Sequence, residues 1–152
     1  MPGYKGHLIG GAVVGALGIY LLQNMRPSAV TLIEWGICAL LGALFPDIDI
    51  KSKGQKVFYR MLLMVFAFLL MSKRYQLFAL ISILSVVPMI VRHRGLFHKI
   101  WFVIGFPLLV FWCISAYFPV YRVILLYDVS FFIAGALSHL WLDLGVRRML
   151  RV

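Results

Sequence analysis

Four histidines and five acidic residues stand among the 152 residues of this chain, and their spacing is what could do chemistry. His139 and Asp143 are four apart, so on a helix they point within about 40° of one another and can share one ion. Asp47 and Asp49 are two apart. Phe45 precedes Pro46, and a residue before proline is biased out of the helical region. An extended segment is therefore expected there, with both carboxylates on one side. His93 and His98 are five apart, a poor helical pairing of about 140°, but Gly95 between them permits a turn that brings both imidazoles together. His7 lies near the amino terminus. Imidazoles with carboxylates and no thiolate suit Zn, Mn or Fe and argue against a closed structural zinc site. Cys38 and Cys113 sit inside apolar runs without CxxC spacing and read as packing residues.

The elements that must position these groups are membrane helices. The chain is 63% hydrophobic and 13% charged, with a mean hydropathy of +0.97. Soluble domains carry roughly 25% charged residues, so a soluble enzyme, a disordered tail and a disulfide scaffold are all excluded. Apolar runs cover roughly 8–23, 29–46, 57–72, 75–91, 100–118 and 123–146, each near the ~20 residues that a span requires. The expected fold is an all-α polytopic membrane bundle of about six transmembrane helices, forming one domain over 1–152. The third run is the weakest, because Arg60 falls in its first turn and must snorkel. The stretch from Asp47 to Arg60 reads as a loop. In the first run, Gly11-x-x-x-Gly15 is a candidate helix-packing face.

Six spans put the amino terminus, the 47–60 and 92–99 loops and the carboxyl terminus on one side. That side carries Lys5, Lys51, Lys53, Lys56, Arg60, Arg92, Arg94, Lys99, Arg147, Arg148 and Arg151. The other carries Arg26, Lys73, Arg74 and Arg122. The positive-inside rule assigns the richer side, and so both termini, to the cytoplasm. His7, Asp47, Asp49, His93, His98, His139 and Asp143 then all lie at cytoplasmic helix ends, whereas Glu34 and Asp128 fall toward the other face. The net charge of +10 is read as topology and headgroup contact, and no nucleic-acid partner is expected. Arg92 and Arg94 are either a bidentate phosphate clamp or ordinary anchors. The tryptophans (Trp35, Trp101, Trp112 and Trp141) and many of the phenylalanines read as lipid-facing or as an interfacial belt.

The same residues carry a family resemblance. Gly6-His7, Phe45-Pro46-Asp47-Ile48-Asp49 with Ser52 and Gly54, His93-Arg94-Gly95-Leu96-Phe97-His98, and Gly135-Ala136-Leu137-Ser138-His139-Leu140-Trp141-Leu142-Asp143 occur in that order. This resembles the YdjM-like family of predicted membrane-bound metal-dependent hydrolases, with its early His, PDxD, HRGxTH and GxxSHxxxD motifs, over nearly the whole chain. That family is in turn similar to the zinc-dependent phospholipase C fold. The resemblance implies His and Asp ligands from several helices holding metal that activates water against a phosphoester. Phe97 stands where the family has Thr and Lys99 where Ser is common. Neither is a ligand type, so the departures bear on substrate contacts.

The expectation is a hydrolase of the inner membrane acting on a phosphoester such as a phospholipid. One to three divalent ions, Zn favoured over Mn or Fe, would be held by His7, Asp47, Asp49, His93, His98, His139 and Asp143. Asp49, or Asp47, is the candidate general base, and Arg92 and Arg94 are the candidate phosphate contacts. The rival is a non-catalytic protein that uses metal to lock helix ends and presents its basic face to a partner or to anionic lipid. A transporter calls for ionisable residues near the midplane, whereas these gather at one face.

Overall fold

The structure is a computed structural model that describes residues 3–48, 52–90 and 96–149, the side chains of 87–90 and 146–149 apart. Asp49, Arg92, His93, Arg94 and Gly95 lie outside the described residues, so the structure does not bear on their proposed roles. Six α-helices follow one another among the described residues: α1 Tyr4–Leu21, α2 Ala29–Leu44, α3 Lys53–Met71, α4 Tyr75–Ile90, α5 Ile100–Tyr117 and α6 Arg122–Met149. Among the described residues there is no strand. In hydrocarbon each backbone N–H and C=O must be satisfied within its own segment, which leaves the helix as the natural form for these apolar runs. Among the described residues, four elements are long and apolar enough to cross a membrane: Ala29–Asp47, Lys53–Met71, Ile100–Tyr117 and Pro119–Gly145. The chain is a helical membrane bundle.

Two expectations about the third run are corrected. Lys53–Arg60 is not loop but the opening of α3, capped by Ser52, whose Oγ accepts the Gln55 N–H at 3.0 Å. Arg60 therefore lies two turns into a 19-residue helix that is among the four qualifying spans. The helices that fall short are α1, diluted by its glycines, Lys5 and His7, and α4, which has 16 residues.

Helices α1, α2, α5 and α6 make the core, and the α2–α6 interface is the most extensive. Small residues allow it. A methyl group on Gly42 would overlap the Phe132 carbonyl, and one on Gly135 would overlap the Ala39 carbonyl. The two backbones thus touch directly. The buried face of α1 is His7, Gly11 and Gly15, each four residues from the next. Gly11 lies against Ala43 and Gly15 against Ala39, so the expected glycine face is the α1–α2 contact. It also carries His7 onto the same seam.

Aromatic residues fill more of the interior than expected. Trp35 is buried and stacks on Phe131, with ring centroids 4.9 Å apart. Phe45 packs against Phe97, Phe102, Phe106 and Phe132. The lipid-facing assignment fails for these residues, because hydropathy does not distinguish a ring facing lipid from one facing another helix. Trp101, Trp112 and Trp141 are exposed, as expected. Phe97 is 1% exposed in this cluster, so the residue that departs from the family pattern is a packing residue of the interior.

The α3–α4 pair runs the length of the bundle and returns. At its turn, the Arg74 guanidinium donates to the Tyr121 hydroxyl at 3.4 Å and sits 5.5 Å from the centre of that ring. Tyr121 belongs to the connection between α5 and α6, at the end opposite to His7, Asp47, His98 and Asp143.

Candidate metal centre

Four helix ends supply the site. His7 is in the first turn of α1, Asp47 just beyond α2, His98 just before α5, and His139 and Asp143 are on adjacent turns of α6. Gly145, with φ +66°, breaks the helical path two residues past Asp143. Glycine adopts that conformation without the steric cost that a Cβ would meet.

The segment around Pro46 departs from expectation. Phe45–Asp47 is a tight 3-10 turn continuing α2, and Phe45 and Ile48 both have helical backbone angles. Burial of Phe45 in the aromatic cluster overrides the local bias against helix before proline. The extended geometry proposed to align Asp47 with Asp49 is absent at 45–48. Asp47 instead reaches the site from a turn whose carbonyls are held by α3. Gln55 Nε2 donates to the Ile48 carbonyl at 2.7 Å, and the Ser52 hydroxyl donates to that of Asp47 at 3.5 Å.

The side chains converge. The rings of His7 and His139 stack with centroids 3.7 Å apart, and His98 meets His139 edge-on at 5.6 Å. His7 Nε2 is 3.3 Å from Asp143 Oδ1, and His139 Nε2 is 3.4 Å from Asp143 Oδ2 and 3.7 Å from Asp47 Oδ1. His98 Nε2 is 3.9 Å from Asp47 Oδ1 and 4.0 Å from Asp143 Oδ2. Five of the seven residues expected as ligands are thereby brought together; Asp49 and His93 are the two outside the described residues.

These gaps test whether the residues fit a metal. Hydrogen bonds between N–H and oxygen span about 2.7–3.2 Å, and every one of these separations is longer. Ligand atoms sharing a tetrahedral ion at bond lengths of about 2.0–2.1 Å stand roughly 3.3–3.5 Å apart. His139 Nε2, Asp143 Oδ1, His7 Nδ1 and His98 Nδ1 are buried without any hydrogen-bond partner. A buried polar atom left unpaired costs about 1–3 kcal/mol, and a cation at the centre would satisfy the first two directly. Among the described residues, two groups have ligand atoms within 4.8 Å of one another, namely His7, His139 and Asp143, and Asp47, His98 and His139. The residues fit a divalent ion.

Residues 1–148 match the YdjM inner membrane protein family. The chain belongs to that family. No curated protein and no solved structure matches it. For a YdjM-family chain the inner membrane is the expected setting, in keeping with the apolar helices.

One site feature escaped the sequence. His139 Nδ1 lies 2.7 Å from the Ala43 carbonyl oxygen. A backbone carbonyl has no side-chain identity to read, and only the Gly42–Gly135 approach of α2 to α6 could have pointed to it. Within the cluster, Asp47 and His98 form the outer edge at 22% and 18% side-chain exposure, while His139 is sealed at 0%. Among the described residues the site is thus a packed cluster open at one edge.

Proposed function

We propose that this YdjM-family chain is a membrane-embedded, divalent-metal-dependent hydrolase acting on a phosphoester, with a phospholipid as the first candidate. The observation that carries the reading is the set of unpaired imidazole and carboxylate atoms, gathered from four helix ends at spacings longer than hydrogen bonds. Zn is favoured over Mn or Fe, with one to three ions. A bound ion lowers the pKa of its water toward ~7 and supplies a hydroxide nucleophile at neutral pH.

The chain's own residues divide the work. His139 and Asp143 would hold the ion from the sealed side. Asp143 turns one oxygen to His7 and the other to His139 and His98, so a single carboxylate can serve two ions. Asp47 and His98, partly exposed, would leave one edge for water and for a substrate oxygen. Asp49, or Asp47, would act as general base, and Arg92 and Arg94 would neutralise the phosphate. The site would open to the cytoplasmic leaflet, where basic residues concentrate and anionic headgroups gather.

The test uses the purified full chain, loaded with Zn or Mn and given phosphatidylglycerol vesicles and a panel of soluble phosphoesters. Turnover by the wild type that is lost in Asp143→Asn is expected. A fully loaded protein that hydrolyses nothing in the panel removes the enzymatic reading.

The burial and close stacking of His7 on His139 favour a second reading, in which the ion locks helix ends without turnover. In that case chelation lowers the melting temperature while every substrate assay stays blank.

A further inference from the structure

We propose that Pro46 is a positioning residue that sets the tautomer of His139: by lacking an N–H, it leaves the Ala43 carbonyl for His139 Nδ1–H. The carbonyl can only accept, so at 2.7 Å His139 Nδ1 carries the hydrogen. The lone pair is then on Nε2, the atom that stands 3.4 Å from Asp143 and 3.7 Å from Asp47. The opposite tautomer would aim an N–H at the place where an ion needs a donor pair.

The Ala43 carbonyl is available for a local reason. Where a helix tightens into a 3-10 turn, each carbonyl is served by the N–H three residues on. The chain tightens here in that way. The Phe45 N–H bonds the Gly42 carbonyl, and the Ile48 N–H bonds the Phe45 carbonyl at 3.2 Å. Three residues beyond Ala43 is Pro46, which has no N–H. Ala43 and His139 are both fully buried, and the direct contact of α2 with α6 through Gly42 and Gly135 brings the imidazole to the vacated oxygen. The proline would thus fix the ring through a carbonyl and supplies no ligand atom itself.

The consequence for metal rests on the metal-centre reading, whereas the tautomer does not. The experiment therefore reads both on the full chain in lipid nanodiscs. Three forms are compared: wild type, Pro46→Ala, which restores the N–H, and a form with lactic acid at position 46, which places an ester oxygen where alanine has N–H. Histidine 15N NMR without metal reports the His139 tautomer, and Zn titration reports affinity. Wild type and ester are expected to hold Nδ1–H alone. Pro46→Ala is expected to show a mixture and to bind Zn roughly 10–100-fold more weakly, as for loss of an outer hydrogen bond to a metal-bound histidine.

An unchanged tautomer in Pro46→Ala overturns the proposal. So does an ester form as impaired as the alanine form, since the ring and not the missing N–H would then matter. If the tautomers separate as expected but no form binds Zn, the positioning role stands and the metal-centre reading falls.

Discussion

His139 is the one residue common to both ligand groups, and His7 belongs to only one of them. This asymmetry makes a residue-level prediction. His139→Ala should abolish metal binding, because each group loses a member and the remaining imidazoles lie on opposite sides of Asp143. His7→Ala leaves Asp47, His98, His139 and Asp143 together, so it should keep metal at a lower ratio of ion to protein. Elemental analysis of the two variants beside wild type checks this. Equal metal content in all three would mean that the cluster is not the binding site. Asp143→Asn is expected to be the more damaging of the carboxylate changes. Its two oxygens face three imidazoles, whereas Asp47 offers one oxygen to two.

At the scale of elements, the site depends on how closely α2 and α6 approach. Gly42→Ala and Gly135→Ala each drive a methyl group into a backbone carbonyl of the facing helix, and overpacking of that kind costs roughly 1–3 kcal/mol or more. Both should lower the melting temperature and weaken metal binding, because separating the helices draws His139 from the Ala43 carbonyl. Gly36→Ala on α2 and Gly105→Ala on α5 meet nothing within 4 Å and should be neutral or slightly stabilising, since alanine favours the helix. Thermal unfolding in detergent distinguishes the pairs, and equal effects would show that the close contact carries no special weight. Part of this scale was legible in the sequence. Gly11 and Gly15 marked the α1 face because a four-residue spacing of small residues has one geometric use in apolar surroundings, and His139 with Asp143 followed from helical periodicity alone. The turn at Pro46 was not legible: its bias out of helix is a local property, and the burial of Phe45 among Phe97, Phe102, Phe106 and Phe132 is a tertiary one. Trp35 was missed for the same reason, and the start of α3 because Lys53–Arg60 is polar yet well capped.

At the scale of the whole molecule, chain parity links the site to the membrane. Asp47 after α2 and His98 before α5 meet at one end, so the intervening α3 and α4 must either both cross or both stay on one side. The contact of Arg74 with Tyr121 carries their turn to the far end of the bundle, so two crossings are the expectation, even though α4, at 16 residues, would cover only about 24 Å at 1.5 Å per residue. If α4 crosses, a hydrocarbon core of about 30 Å would have to thin or draw in flanking side chains around it, and Lys73 and Arg74 at its start could snorkel outward. With the basic side in the cytoplasm, both termini are expected inside and residue 73 outside. A single cysteine at 73, in a chain whose Cys38 and Cys113 are replaced by serine, should react with a membrane-impermeant maleimide added to intact cells. A cysteine at 5 should react only after the cells are opened. Labelling of position 5 from outside would invert the bundle and put the His–Asp cluster on the periplasmic side, while protection of both positions in intact cells would mean that α3 and α4 do not cross.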